Sequence, residues 1–111
     1  MIKVIVTDLD GTLLNNQSKV DQQTIDKIEK SQDIGIRFMI ATGRNFIGVK
    51  QVLKHTGLKF DYIVNSGAEL RNSQEDVLKK NCLTLDQVEK ISKVLYSYPV
   101  SVQYCLSLIH F

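Results

Sequence analysis

The sequence predicts an α/β fold, a parallel sheet with flanking helices, and three observations carry that prediction. Short apolar runs alternate with helix-length amphipathic stretches over residues 2–64. The first run, rich in β-branched residues, is nearly continuous in its apolar character, as in strands covered on both faces. Each run stops at a polar or glycine-bearing cluster that the run itself lacks. Strands that alternate with single helices pair in parallel through crossover connections.

The elements follow in order. Ile2 to Thr7 is the first strand, and Asp8 to Lys19 is a loop rich in Asp, Gly, Asn and Ser. Asp21 can cap the first helix, Ile25 and Ile28 form its apolar stripe, and Gly35 can supply a left-handed stop. Ile36 to Ala41, "IRFMIA", is the second strand. Asn45 can cap a second helix whose face is Val49, Val52, Leu53 and Thr56, ended by Gly57. Phe60 to Val64, "FDYIV", is the third strand. Glu69 to Leu78 reads as a hairpin with "RNSQED" as its turn. Thr84 and Gln87 form a capping box that opens a helix with Leu85, Val88, Ile91 and Leu95 inward, stopped before Pro99. Val100 to Leu106 alternates as a strand would, and "SLIHF" closes the chain on apolar residues.

Composition sets bounds on function. The chain has 111 residues, room for one domain and not comfortably two. A net charge of +2 is too mild to imply a nucleic-acid or membrane-surface partner. The adjacent pair Lys79–Lys80 reads as a solvated surface turn. Cys82 and Cys105 lie far apart without a metal-ligand spacing, which predicts free thiols, a packed Cys105 and a reducing cytoplasm. His55 and His110 stand alone, as structural or surface residues. Asp8 interrupts the N-terminal apolar run too early for a signal peptide. No segment approaches the roughly 20 apolar residues of a membrane span.

The three strand ends are Asp8–Asp10, Thr42–Arg44 and Asn65–Gly67. Functional groups of open α/β sheets gather at such carboxyl ends. In an extended segment Asp8 and Asp10, two residues apart, point the same way. Two carboxylates beside a buried strand repel each other and are costly to desolvate. A divalent cation resolves that conflict. Mg²⁺ suits it, since it prefers hard oxygens and keeps waters that a phosphate can replace. One carboxylate can then attack while the other carries a proton. Gly11 lets the backbone turn closely around a ligand, and Thr42 offers a hydroxyl and an amide to a phosphate oxygen. Asp-x-Asp-Gly is also a frequent turn and calcium-loop pattern. The calcium loop fails on context, because Leu13–Leu14 stands where ligands should be and no later acid follows.

"VTDLDGTLL" resembles the first motif of the haloacid dehalogenase-like phosphohydrolases. "IATGR" resembles the second motif of their Cof-like branch, and "VNSGAEL" its third strand end, with Ser66 where Asn is more usual. The resemblance covers the chain nearly to its end, most firmly Met1 to Leu78. It implies a partial Rossmann-like parallel sheet at 1–78, followed by the beginning of an α/β cap at 79–111. It further implies Asp8 as nucleophile and Asp10 as general acid, then base. Mg²⁺ would be held by the Asp8 carboxylate and the Asp10 backbone carbonyl. Thr42, with Gly43, Ser66 and the amides near Leu9, would bind the phosphoryl group. Arg44 would meet the substrate or orient the cap; the bland alternative is a surface charge at a helix start.

The expected activity is hydrolysis of small phosphorylated metabolites, such as sugar phosphates. Two alternatives stay open: a non-catalytic phosphate- or metal-binding module that acts with a partner, and a sugar-phosphate mutase. The family's later lysine and its second acidic motif are not found in the sequence, so the chain reads as the N-terminal part of a longer enzyme. The strand at 2–7 is then an exposed apolar edge, and the chain is expected to self-associate through it or through the apolar "SLIHF" tail.

Overall fold

The computed structural model describes residues 1–104. Cys105, His110 and the "SLIHF" ending lie outside the described residues. Two compact units divide the chain, the first Met1–Lys80 and the second beginning at Asn81.

The first unit runs β1 (Val4–Asp8), α1 (Gln22–Asp33), β2 (Arg37–Ala41), α2 (Phe46–Leu53), β3 (Asp61–Val64), β4 (Glu69–Arg71) and β5 (Val77–Lys80). One sheet holds all five strands in the order β1-β2-β3-β4-β5. β1, β2 and β3 are parallel, with Asp8 opposite Ala41 and Ala41 opposite Ile63. β4 and β5 are antiparallel additions, so the expected parallel sheet becomes a mixed one beyond β3. The physical reason is reach: residues 65–68 are too few for a parallel crossover, which takes a dozen or more. The "RNSQED" hairpin forms as expected. Lys79 and Lys80 are correspondingly not a surface turn; they pair with Leu70 and Glu69 in β5.

The core lies on one face of the sheet. Ile40, Tyr62 and Val64 meet Ile25 and Ile28 of α1 and Val49 and Leu53 of α2, with Phe60, Leu9, Leu14 and Val20 filling around them. On the alternate face of the edge strand, Val4 and Val6 are 43% and 56% exposed.

Local chemistry sets the helix ends. Asn45 Oδ1 accepts the Gly48 N–H at 2.8 Å, capping α2. Beyond Leu53 the helix tightens through Lys54–Thr56 and stops at Gly57, φ +67°. Gly35, φ +87°, follows α1 as expected. Asp21 sits at the N-cap position of α1 without making the capping bond. Its carboxylate instead takes the Asn15 side-chain amide at 2.6 Å. Asn15 organises the preceding loop, its own oxygen accepting the Gln17 and Lys19 amides at 2.9 and 3.1 Å.

The second unit contains α3 (Leu85–Leu95). Its capping box is formed: Thr84 Oγ1 accepts the Gln87 amide at 3.3 Å, and Gln87 Oε1 accepts the Thr84 amide at 2.8 Å. The expected inward face is only partly covered, with Val88 and Leu95 half-buried. Leu85 and Ile91 are 76% and 46% exposed, and Ser92 is the buried residue of the helix. Within residues 81–104 there is no second regular element to receive that stripe. Residues 100–104 carry no strand either, since alternation alone does not make one without a hydrogen-bonded neighbour; the rest of that expected strand lies outside the described residues.

Candidate functional site

The site is built where β1, β2 and β3 end. β1 closes at Asp8, whose Oδ1 accepts the amide of Leu9 at 2.8 Å. The chain then makes a wide turn, with the Leu14 amide returning to the Leu9 carbonyl at 2.9 Å. Leu9 is fully buried and anchors that turn in the core. Asp10 is extended, and Gly11 has φ +73°, a left-handed conformation that glycine adopts at no steric cost. The i, i+2 argument for the two acids therefore needs correction. Strand geometry ends at Asp8, and the bend at Leu9 decides where Asp10 goes.

Asp10 goes to the end of β2. Arg44 Nε donates to Asp10 Oδ2 at 2.7 Å, and Nη2 to Oδ1 at 2.6 Å, a two-pronged pair. Arg44's hydrogen bonds hold the Asp10 carboxyl below the usual carboxylate range against the opposing cost of burial, with the charge of Arg44 adding last; hydrogen bonding to Asp10 in turn raises Arg44.

The end of β2 is stitched to the end of β3. The Thr42 amide donates to the Ile63 carbonyl at 2.9 Å, the Ser66 amide to the Thr42 carbonyl at 3.2 Å, and the Asn65 amide to the Arg44 carbonyl at 2.9 Å. Gly43 packs so close to Ser66 that a Cβ at position 43 would lie 3.4 Å from the Ser66 hydroxyl. Asn65 and Ser66 both take positive φ, 51° and 55°. Thr42 is buried, and its hydroxyl accepts the Arg44 amide at 3.1 Å, which leaves the hydroxyl proton available to an anion.

Asp10, Thr42, Gly43, Arg44 and Ser66 are thus linked by direct contacts. Asp8 and Leu9 adjoin them through the strand register and the turn. The Leu9 amide is engaged by Asp8 rather than free for a phosphate. Sequence reasoning placed Asn65 at the third strand end but gave it no role; its amide holds the Arg44 backbone in place, and the run Asn-Ser-Gly, residues tolerant of left-handed backbone, was the signal. It also missed the partner of Arg44.

A family model described as haloacid dehalogenase-like hydrolase matches residues 5–108. The chain belongs to this family. Among its relatives is a Haemophilus influenzae protein named a phosphatase, 34% identical over 92 residues, 82% of this chain and 34% of that protein. The HMP-PP phosphatase of Yersinia pestis is 26% identical over 102 residues, 92% of this chain and 37% of its own length. Among solved structures, a haloacid dehalogenase-like hydrolase of B. subtilis matches with TM-score 0.79 at 27% identity, covering 86% of this chain and 34% of that one. A Bacteroides thetaiotaomicron member of the HAD phosphatases matches with TM-score 0.75 at 32% identity, covering 87% and 36%. The chain therefore spans about a third of the length of these haloacid dehalogenase-like relatives. The motif resemblance to the Cof-like phosphatase branch agrees with these relatives.

The donors at the strand ends suit a hard cation. Asp8 has a second carboxylate oxygen beyond the one bonded to Leu9, and Asp10 has its backbone carbonyl. Mg²⁺ is usually held by one or two carboxylates, with waters and substrate phosphate supplying the rest. Among the described residues no group of three or more His, Cys, Asp or Glu side chains is gathered, so this chain brings a small donor set. No helix among the described residues is long and apolar enough to cross a membrane.

Proposed function

We propose that this chain is the nucleophile-bearing part of a phosphatase of small phosphorylated metabolites, sugar phosphates or similar compounds. The observation that carries the reading is the Asp10–Arg44 contact. It brings Asp10 and a guanidinium suited to phosphate to the strand end that carries the Thr42 hydroxyl.

In the proposed reaction Asp8 attacks phosphorus and the ester oxygen leaves, giving an aspartyl-phosphate. Asp10 delivers a proton to that leaving oxygen, then takes one from the water that hydrolyses the acyl phosphate. Thr42, with Gly43 and Ser66 around it, holds phosphoryl oxygens. Mg²⁺, held by the Asp8 carboxylate and the Asp10 carbonyl, supplies charge neutralisation between nucleophile and phosphate when bound. A cytoplasmic setting belongs to the same proposal and is supported by the exposed free thiol of Cys82.

The test uses beryllofluoride, a mimic of the aspartyl-phosphate, read by ¹⁹F NMR. With Mg²⁺ the chain is expected to form an adduct that Asp8→Asn abolishes. No adduct in the unmodified chain would sink the reading. Turnover of p-nitrophenyl phosphate is expected to be feeble, because each missing charge-stabilising group commonly costs about 100- to 1,000-fold.

A further inference from the structure

We propose that Arg44 is an exchangeable counter-ion: it pairs with Asp10 while the site is empty of phosphate and transfers its guanidinium to an incoming phosphate monoester, releasing Asp10. The inference rests on the phosphatase reading and deepens it by assigning how the site changes when substrate enters.

Four observations carry it. Both oxygens of Asp10 are taken by Arg44, at 2.6 and 2.7 Å. With one lone pair of each oxygen engaged in this way, Arg44 competes directly for the atoms that Asp10 would turn toward a substrate. The pair is also open to solvent: its side chains are 34% and 53% exposed, so water and salt compete for it although both prongs are made. The Arg44 backbone, in contrast, is fixed: its amide donates to Thr42 Oγ1 at 3.1 Å and its carbonyl accepts the Asn65 amide at 2.9 Å. Asn45, the next residue, is committed to capping α2. A pinned backbone with a long, solvated side chain can swing without disturbing the fold. Lastly, the planar guanidinium fork matches phosphate as well as it matches carboxylate. Phosphate is the stronger claimant where it arrives as a dianion beside the Thr42 hydroxyl.

The exchange also answers the repulsion problem of the two acids. Without a ligand, Arg44 supplies the positive charge that makes Asp10 tolerable beside Asp8. With phosphate bound, that charge is needed by the phosphoryl oxygens instead, and the same group serves both states.

The test follows the Arg44 side-chain Nε–Hε signal in the ¹⁵N-labelled chain, assigned by its loss in Arg44→Lys. Inorganic phosphate is titrated at constant ionic strength, with chloride as the control anion. Phosphate is expected to move the Arg44 signal saturably, together with the Thr42 and Gly43 amides, and chloride is expected to move neither. Asp10→Asn should tighten phosphate binding about two- to five-fold, the range for freeing an exposed ion pair. Part of any tightening comes from removing a nearby negative charge. That part is isolated by repeating Asp10→Asn in an Arg44→Gln background, where the gain should be clearly smaller. Movement of Thr42 and Gly43 without Arg44 would overturn the exchange and leave the phosphate site standing. Equal gains in the two backgrounds would also overturn it. Silence of all three signals would overturn both the exchange and the phosphatase reading.

Discussion

Ser66 occupies a backbone conformation, φ 55°, that a side chain with a Cβ enters at a cost, and it does so between left-handed Asn65 and Gly67. Left-handed geometry costs an ordinary residue about 1–2 kcal/mol. Glycine gives back about 0.5–1 kcal/mol through the entropy of the unfolded chain. Ser66→Gly is therefore expected to stabilise the chain by roughly 0.5–1 kcal/mol, read as a higher urea midpoint. An unchanged or lower midpoint would mean that the Ser66 hydroxyl, packed against Gly43, contributes more than the strain removes. Tyr62 gives a pH prediction. Burial, with the charges of Glu75 and Asp61 adding to it, pushes its phenol up to about 12. The fold thus prefers the neutral phenol. The unfolded chain releases that proton near pH 10, so stability is full below about 10 and falls as pH rises toward 12, by up to about 3 kcal/mol. Tyr62→Phe should flatten the alkaline limb of a urea-midpoint-versus-pH profile; a limb that keeps its slope would assign the loss to other groups. At this scale the sequence was legible where chemistry is local. Asp8, Asp10 and Thr42 stand out because polar groups at the end of an apolar run need a reason. The Asp10–Arg44 pair, 34 positions apart, was not, because its geometry depends on the bend that buried Leu9 imposes.

Among the elements, α2 and the hairpin are fastened by a network that no single element announces. Arg71 of β4 lies 4.2 Å above the Phe46 ring at the start of α2, and Phe46 meets Tyr62 of β3 edge-on at 5.1 Å. Arg71 also pairs with the buried Glu69 and donates to the Glu75 carbonyl at 3.0 Å. Arg71→Ala strips the pair's cation from a carboxylate that is 1% exposed. Losing this charged hydrogen bond and the stacking on Phe46 is expected to cost about 1.5–3 kcal/mol in urea denaturation; a loss under about 0.5 kcal/mol would show that Arg71 adds little to the hold on this strand. Element order was readable from periodicity and caps: Asn45, Gly57 and the Thr84–Gln87 box all act where local chemistry places them. Failures came where a competing partner intervened. Asp21 was drawn off by Asn15, and the apolar stripe of α3 meets no second regular element within residues 81–104. A helical pattern reports which face is apolar, not whether anything meets that face.

For the whole molecule, the governing feature is that β1 is an edge. The sheet order puts β2 on one side of it and no strand on the other among the described residues. A parallel strand rich in β-branched residues ordinarily has neighbours and cover on both faces. Here Ile2, Val4 and Val6 are 67%, 43% and 56% exposed, and the row of backbone donors and acceptors along the free side of Val4–Asp8 is available to a second strand. The usual protections of an edge are scarce: β1 has no proline and no bulge, and Lys3 is the cation next to it. The expected outcome is association of two or more copies through this strand. Size-exclusion chromatography with light scattering should show a mass rising with concentration above the 12.6 kDa of a single chain. Val6→Lys puts a charge onto the exposed face of the edge and should return the chain to a monomer with unchanged circular dichroism. The exposed stripe of α3 is the rival contact. If Leu85→Glu with Ile91→Glu abolishes association while Val6→Lys does not, the helix and not the edge is sticky. If the unmodified chain stays a monomer on concentration, the exposed edge is tolerated as it stands, and strand pairing between copies is ruled out.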